Sequence, residues 1–337
     1  MRRNRFRRVS GLLVLAPLLA AVQTTASPAA ASAAARGTEL QLTDLGTLPG
    51  GQFSIAEGIN DDAEVAGTSD VSPGIVHAFL WREGEMLDLG TLGGENSQAT
   101  DINNRGEVVG SSNPAGGFEF RAFLWRDGEM LDLGTLGGTA STAAGINDEG
   151  EVVGYSTTAA GEYHAFLWRD GVMSDLGAPP GSMFSFANAI NDRGQIAGQI
   201  DQAPVCWRRG VASSLPLPPG ETQGIAQGIN DRGAIAGSTF SSGSATIRAT
   251  LWRHGKVLDL GTLGGPGSGA FDVNDRGQVV GWSNTTGFGN AAFLWKDGVM
   301  TSLAAPGWTF TEAHAINRSG QVVGVGQSTT FHAVLWH

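Results

Sequence analysis

The pair of residues in this sequence best suited to acid–base chemistry is Glu312 and His314. Side chains two positions apart share one face of a strand, so a carboxylate and an imidazole at this spacing can exchange a proton. Both residues depart from a pattern that otherwise repeats along the chain. A glycosidase or polysaccharide lyase would also need two carboxylates roughly 5–9 Å apart over a central pocket. The structural interpretation is favoured, and no catalytic residue is predicted.

Other sites of chemistry are not indicated. We find no nucleophile motif, phosphate loop, calcium loop or metal-ligand spacing, and therefore expect no cofactor or metal. The single cysteine, Cys206, stands where the preceding repeat has Leu167, which predicts a small core residue. One repeat position carries three histidines but also accepts arginine and alanine, which indicates a structural role: His77, Arg121, His164, Arg248, Ala291 and His332.

Aromatic residues in variable loops are the predicted ligand-binding residues. They stand among Ser, Thr, Asn and Gly, a combination that suits sugar rings or peptides. The alternative is that the rings fold back onto their own sheets. The five residues are Phe118, Phe120, Tyr163, Phe240 and Phe288.

A sevenfold repeat must hold these loops. Its clearest copy reads His-Ala-Phe-Leu-Trp-Arg at 77–82, and the tryptophans recur at steps of 44, 43, 39, 45, 43 and 41 residues. A period of this length indicates a repeat array or a propeller. The tryptophans are predicted wedges between neighbouring sheets: Trp81, Trp125, Trp168, Trp207, Trp252, Trp295 and Trp336.

Each repeat reads as four strands, A to D. An Asn-Asp-x-Gly turn follows strand A, as at 147–150, and a second turn with Gly follows the Trp of strand C in the first six repeats. Ala63 replaces the turn glycine in repeat one, which predicts a strained or different turn. An alanine four residues before each turn Asn, with small neighbours, predicts crowding of strand A at an axis. Strand C, apolar on both faces, must be covered on both sides.

We therefore predict an all-β fold, a seven-bladed β-propeller of four-stranded antiparallel blades. The last repeat lacks strand D, and residues 40–46 form a strand D without a blade, so the N-terminal strand should close the ring. An open β-solenoid is the alternative. The B–C loops and D–A linkers then share one face, which we call the variable face. Blade four has the shortest B–C loop, 199–204, which predicts a notch there, flanked by the loops of blades three and five.

The N terminus indicates export. Five arginines precede an apolar run at 11–22 and small residues at 26–35, so residues 1–35 are predicted to be a secretory signal peptide and residues 38–337 the propeller domain. A retained anchor is the alternative, and general secretion is favoured over twin-arginine export. The formal charge is −11, or −16 without those arginines, which argues against nucleic acid as a partner.

The repeated motifs resemble those of the bacterial HAF-repeat extracellular proteins. The resemblance rests on the Ala-Phe-Leu-Trp strand, the Asp-Leu-Gly-Thr-Leu-Gly-Gly linker at 88–94, 132–138 and 259–265, and the Ile-Asn-Asp-x-Gly turn, and it covers residues 38–337. It implies secretion and a repeat fold, but no catalytic residues. The linkers that lead into blades four, five and seven depart from it.

The function favoured by these observations is a secreted, non-catalytic binding module for glycan, cell-wall or protein surfaces. The alternatives are a propeller-type glycoside hydrolase or polysaccharide lyase, and a structural or adhesive extracellular protein. We expect no membrane contact after cleavage of the signal peptide. The sequence leaves the oligomeric state open.

Overall fold

Seven four-stranded antiparallel sheets make up the part of the chain that the structure, a computed structural model, describes: residues 40–241, 243, 246–287 and 289–337. The sheets form the blades of a β-propeller, as predicted. In blades one to six the strands follow chain order from the inner strand A to the outer strand D. Within these described residues, no helix is long and apolar enough to cross a membrane.

The strands, numbered in chain order, are as follows. Strand β1 is Leu42–Gly46. Blade one contains β2 (Ser54–Ile59), β3 (Val65–Ser72), β4 (Ile75–Arg82) and β5 (Glu85–Asp88). Blade two contains β6 (Gly93–Ile102), β7 (Val108–Pro114), β8 (Arg121–Arg126) and β9 (Glu129–Asp132). Blade three contains β10 (Gly137–Ile146), β11 (Val152–Thr158), β12 (Tyr163–Arg169) and β13 (Val172–Asp175). Blade four contains β14 (Ser185–Ile190), β15 (Gln195–Ile200), β16 (Ala203–Arg208) and β17 (Val211–Ser214).

Blade five contains β18 (Gln223–Ile229), β19 (Ile235–Phe240), β20 (Ile247–Arg253) and β21 (Lys256–Asp259). Blade six contains β22 (Gly264–Val273), β23 (Val279–Thr285), β24 (Asn290–Lys296) and β25 (Val299–Ser302). Blade seven contains β26 (Phe310–Ile316), β27 (Val322–Gln327) and β28 (Phe331–Trp336), and β1 is its fourth strand.

The N-terminal strand closes the ring. Leu42 pairs with Trp336 and Asp44 with Val334, in an antiparallel arrangement. The pairing continues beyond the strand, because the backbone N–H groups of Gln41 and His337 each donate to the other's carbonyl at 2.9 Å. This confirms the predicted closure and excludes the open solenoid.

The tryptophans lie between blades, as predicted. In the interface of blades one and two, Phe123 and Trp125 pack against Ala78 and Leu80 of the preceding blade. Each of the seven interfaces has an equivalent apolar cluster. Six of the seven tryptophans are buried, and Trp81 is half-buried. Cys206 is buried in the cluster between blades four and five, which confirms its predicted core role.

Blades four and five show how the weaker repeats keep their core. Val205 and Thr250 replace the phenylalanine of strand C there. In blade one, a Cβ built on Gly67 would lie 2.7 Å from the Phe79 ring, whereas a Cβ on Gly198 would lie 2.9 Å from the Trp207 ring. The indole therefore occupies the volume that phenylalanine fills elsewhere.

The inner strands are crowded, as the small residues of strand A predicted. Ala56 and Ala143 are fully buried. A Cβ built on Gly145 would lie 3.1 Å from the Cα of Ala189 in the next blade. The predicted strain at Ala63 is also present, because this residue has a φ of 62°, in the left-handed region that favours glycine.

Candidate functional site

The predicted ligand-binding aromatics differ in exposure on the variable face. Phe118 is 97% exposed and Tyr163 is 38% exposed. Phe120 and Phe240 are half-buried. Phe288 lies outside the described residues. Phe118 and Tyr163 are therefore the most exposed residues of this set among those described.

Tyr163 belongs to a group of four rings, the aromatic cluster, formed with Tyr155, Phe184 and Phe186. The Tyr155 ring contacts Phe186 edge-on at a centroid distance of 4.8 Å and Tyr163 at 6.1 Å. Phe184 and Phe186 stack at 4.9 Å. All four residues remain partly accessible to water, so the cluster offers ring edges and faces at the surface between blades three and four.

Hydrogen bonds fix the linker that carries Phe184. The N–H groups of Met183 and Phe184 both donate to Oδ1 of Asp201, at 2.8 and 3.2 Å. The N–H of Asp201 donates back to the Phe184 carbonyl at 3.0 Å. Asp201 has a φ of 52° in the two-residue turn that joins β15 to β16, so this short hairpin clamps the linker.

An open pocket of about 450 Å³ adjoins the clamp, and we call it the blade-four pocket. Its lining includes Ser182 and Asp201 on one side and Thr222 and Gln223 on the other. The pocket lies at blade four, where the notch was predicted. Its walls, however, are the linkers into blades four and five together with β16 and β17 of blade four, rather than the B–C loops of blades three and five.

The inner strands bring a second group together, the axial cluster of Glu57, Phe271, Glu312 and His314. Nδ1 of His314 lies 3.0 Å from a Glu57 carboxylate oxygen, and Nε2 lies 3.7 Å from Glu312. The Phe271 ring contacts the imidazole edge-on at 5.6 Å. Burial by itself would lower the pKa of His314, but Glu57 and Glu312 outweigh burial and raise the pKa to about 10. The imidazole is therefore charged at neutral pH.

Asp101 and Asp272 are two further acids of the inner strands, in β6 and β22. Burial raises the pKa of Asp101 to about 7. The N–H groups of Ile146 and Ile102, which donate to its carboxylate, act in the opposite direction and lower the pKa. Burial likewise raises the pKa of Asp272. Both residues are half-buried, so part of each side chain remains accessible to water.

The axial cluster is a poor fit to hydrolysis. Glu57 and Glu312 both pair with the same imidazolium, and Asn290 also donates to Glu312 at 2.8 Å. Neither carboxylate is left free as the acid or nucleophile that a glycosidase requires. No three His, Cys, Asp or Glu side chains of the described chain are arranged to hold a metal ion.

The outer histidines have structural partners. His77 pairs with Asp88, His164 with Asp175 and His332 with Asp44, each at 2.8 Å. The strand-D aspartates also accept the N–H of a glycine two residues on, as at Asp132 and Gly134.

Sequence reasoning missed Tyr155, Phe184, Phe186 and Glu57. Each departs from its repeat: Tyr155 stands where blades one and two have Thr68 and Ser111, and Glu57 occupies the position of His314. A comparison of repeats position by position, rather than loop by loop, would have found these departures.

No family model matches the chain, and no curated protein matches it. Among solved structures, the β-propeller domain of the trilobed protease from Pyrococcus furiosus is similar, with a TM-score of 0.52 and 13% identity over 76% of this chain and 84% of that one. The XC5397 gluconolactonase from Xanthomonas campestris has a TM-score of 0.43 and 12% identity, and covers 89% and 90% of the two chains. The acylaminoacyl peptidase of Pyrococcus horikoshii has a TM-score of 0.49 and 12% identity, and covers 83% and 50%. At such identities, the likeness to the trilobed protease domain shows a shared β-propeller fold and nothing of activity.

Proposed function

We propose that this chain is an exported, non-catalytic binding module for an extracellular glycan. The observation that carries the proposal is the aromatic cluster: four partly exposed rings at the seam of blades three and four, beside the blade-four pocket. Aromatic rings with polar neighbours provide apolar contact for sugar C–H faces and hydrogen bonds for hydroxyl groups.

Several features support this assignment. The clamp of Asp201 on Met183 and Phe184 holds the linker before ligand arrives, which lowers the entropic cost of binding. The Gln202 and Gln223 side chains stand at the pocket as uncharged hydrogen-bonding groups. Export and membership of the HAF-repeat family stay predictions from the sequence, and both agree with an extracellular ligand.

The test is a glycan array combined with a screen for hydrolase and lyase turnover. We expect binding without turnover. Tyr163→Ala and Phe184→Ala should each weaken the affinity about tenfold, or ~1.4 kcal/mol, because each removes ring contact with the sugar. Phe331→Ala is the matched control, since Phe331 contacts Phe310 at 5.7 Å at the blade-seven end of the same face.

Two results would contradict the proposal. Product release from any polysaccharide would instead support the hydrolase or lyase alternative. An array without binding would support a structural or adhesive role. Thermal unfolding of each variant checks that a loss of affinity does not come from a loss of folded protein.

A further inference from the structure

The large exposed apolar side chains that the structure describes on the variable face lie in one sector. Among the described residues, the large exposed ones of this face are Phe118, Tyr163 and Met183, of which Met183 is 75% exposed. Phe118 belongs to the blade-two loop, Tyr163 is the first residue of β12 in blade three, and Met183 belongs to the linker into blade four. The remaining exposed large apolar residues all lie in outer strands: Leu87, Leu131, Val172, Val211, Leu258 and Val299.

Backbone contacts place this sector along three successive seams between blades. The Phe120 carbonyl accepts the N–H of Ser141, which puts the loop carrying Phe118 at the seam of blades two and three. Tyr163 is bridged to Phe184 at the seam of blades three and four. The N–H of Gly224 donates to the Gln202 carbonyl at the seam of blades four and five, beside the blade-four pocket. Packed sheets lie about 10 Å apart, so the three seams span roughly 20 Å or more.

Acidic residues predominate along this path. Glu119, Glu162, Asp201 and Glu221 lie in the segments concerned, at 115–120, 159–163, 179–184, 201–202 and 216–223, which contain no Lys or Arg, and Arg121 follows the first segment directly, at the start of β8. His164, next to Tyr163, is paired with Asp175 at 2.8 Å and lies 3.7 Å from Glu162. Carboxylated or sulfated polymers would therefore be repelled, whereas neutral or amine-bearing chains would not.

We propose that the ligand is a linear polysaccharide, neutral or amine-bearing, that lies across all three seams from Phe118 over the aromatic cluster to the blade-four pocket. This inference rests on the proposed function, and adds the length and charge of the ligand to it. A span of two blades exceeds a single sugar, so the path calls for an oligosaccharide. Such a chain would cover the Phe118 side chain, which is 97% exposed.

The test is calorimetric titration of the protein with glucosamine oligomers and cello-oligosaccharides, each from the monosaccharide to the hexasaccharide, and with oligogalacturonate. We expect affinity to rise with length and then level off, and oligogalacturonate to bind at least tenfold more weakly. Phe118→Ala should weaken hexasaccharide binding about fivefold and leave disaccharide binding unchanged, whereas Tyr163→Ala should weaken both. Glu119→Gln with Glu162→Gln should narrow the gap between glucosamine oligomers and oligogalacturonate.

The outcomes separate the two proposals. Equal affinity for short and long oligomers, or an unchanged hexasaccharide affinity in Phe118→Ala, would overturn the three-seam path and leave glycan binding standing. Preference for oligogalacturonate would overturn the charge assignment. Binding of none of these oligomers, together with an array without binding, would overturn both proposals.

Discussion

At the residue scale, His314 shows how one side chain takes its charge from its surroundings. It contacts Glu57 from blade one and Glu312 from its own strand, and the Ala56 carbonyl lies 3.0 Å from its Nδ1. Sequence spacing predicted the pair with Glu312. The second carboxylate comes from the other end of the chain, and it turns the proposed acid–base pair into an ion triad that joins blades one and seven.

The charge of His314 predicts a pH dependence of stability. The pKa of about 10 in the folded state lies above the unfolded value near 6.5, so the stabilisation is complete below about pH 6.5 and is lost as pH rises toward 10. Chemical denaturation between pH 7.5 and 10 should show a falling free energy of unfolding, by up to ~1.4 kcal/mol per pH unit. His314→Gln should flatten this slope, and an unchanged slope in the variant would contradict the assignment.

Asp101 contributes in a lower window. Its pKa of about 7 lies above the unfolded value of 3.8, so the folded state holds the extra proton and stability falls as pH rises from about 4 to 7. The pH range in which Asp101 affects stability ends near pH 7. The measurement for His314 therefore starts at pH 7.5, where the Asp101 contribution no longer changes.

At the element scale, the turn asparagines join the blades into a ring. Their role as turn formers was predicted: Oδ1 of Asn147 accepts the N–H groups of Glu149 and Glu151. The sequence did not reveal that Nδ2 of each asparagine also donates to the carbonyl of its counterpart in the next blade, as from Asn147 to Asn191 at 3.1 Å. The bonds close the circle, since Asn317 donates to Asn60.

Asn147→Ala should therefore destabilise the protein by about 3 kcal/mol. The substitution leaves the buried N–H of Glu151 and the buried carbonyl of Asn191 without their Asn147 partner, and each such loss costs about 1–3 kcal/mol. Urea denaturation gives the measurement. Asn147→Asp keeps the acceptor but places a second carboxylate against the buried Glu151 carboxylate, to which Nδ2 of Asn147 donates at 2.9 Å, so it should cost at least as much. A cost below that of an exposed substitution such as Glu129→Ala would show that the ring bonds contribute little.

At the scale of the whole molecule, closure by β1 makes the seventh blade equivalent to the others. Leu45 is buried in the cluster between blades seven and one, and Leu42 packs in the cluster between blades six and seven. Both interfaces of blade seven thus depend on one short strand.

Deletion of residues 40–46 should open the ring and cost about 5 kcal/mol, from the apolar burial of Leu42 and Leu45 and the lost strand pairing. The exposed edge of β28 would promote self-association. Thermal unfolding and size-exclusion chromatography measure both effects, and amide exchange should rise first in β26 to β28. A truncation that ends before Leu40 is the control, and equal stability of the two truncations would contradict the role of β1.

The sequence by itself determined the repeat, the four strands of each blade, the blade number and the closure of the ring. These follow from local rules, since turn glycines, apolar strands and a missing last strand are visible in a linear chain. The strain at Ala63 was also predictable from a local rule, because a left-handed turn position disfavours any residue with a Cβ.

Only the tertiary structure decided which side chains meet across a seam. Tyr163 was predicted on a variable loop, but its neighbours Phe184 and Phe186 come from the next blade, and Glu57 reaches His314 across the closed ring. The rotation between adjacent blades sets these contacts, and strand periodicity within one blade contains no information about that rotation. The position of the blade-four pocket was predictable because the short hairpin is a local feature, whereas its linker walls come from segments that the fold, not the sequence order, places beside it.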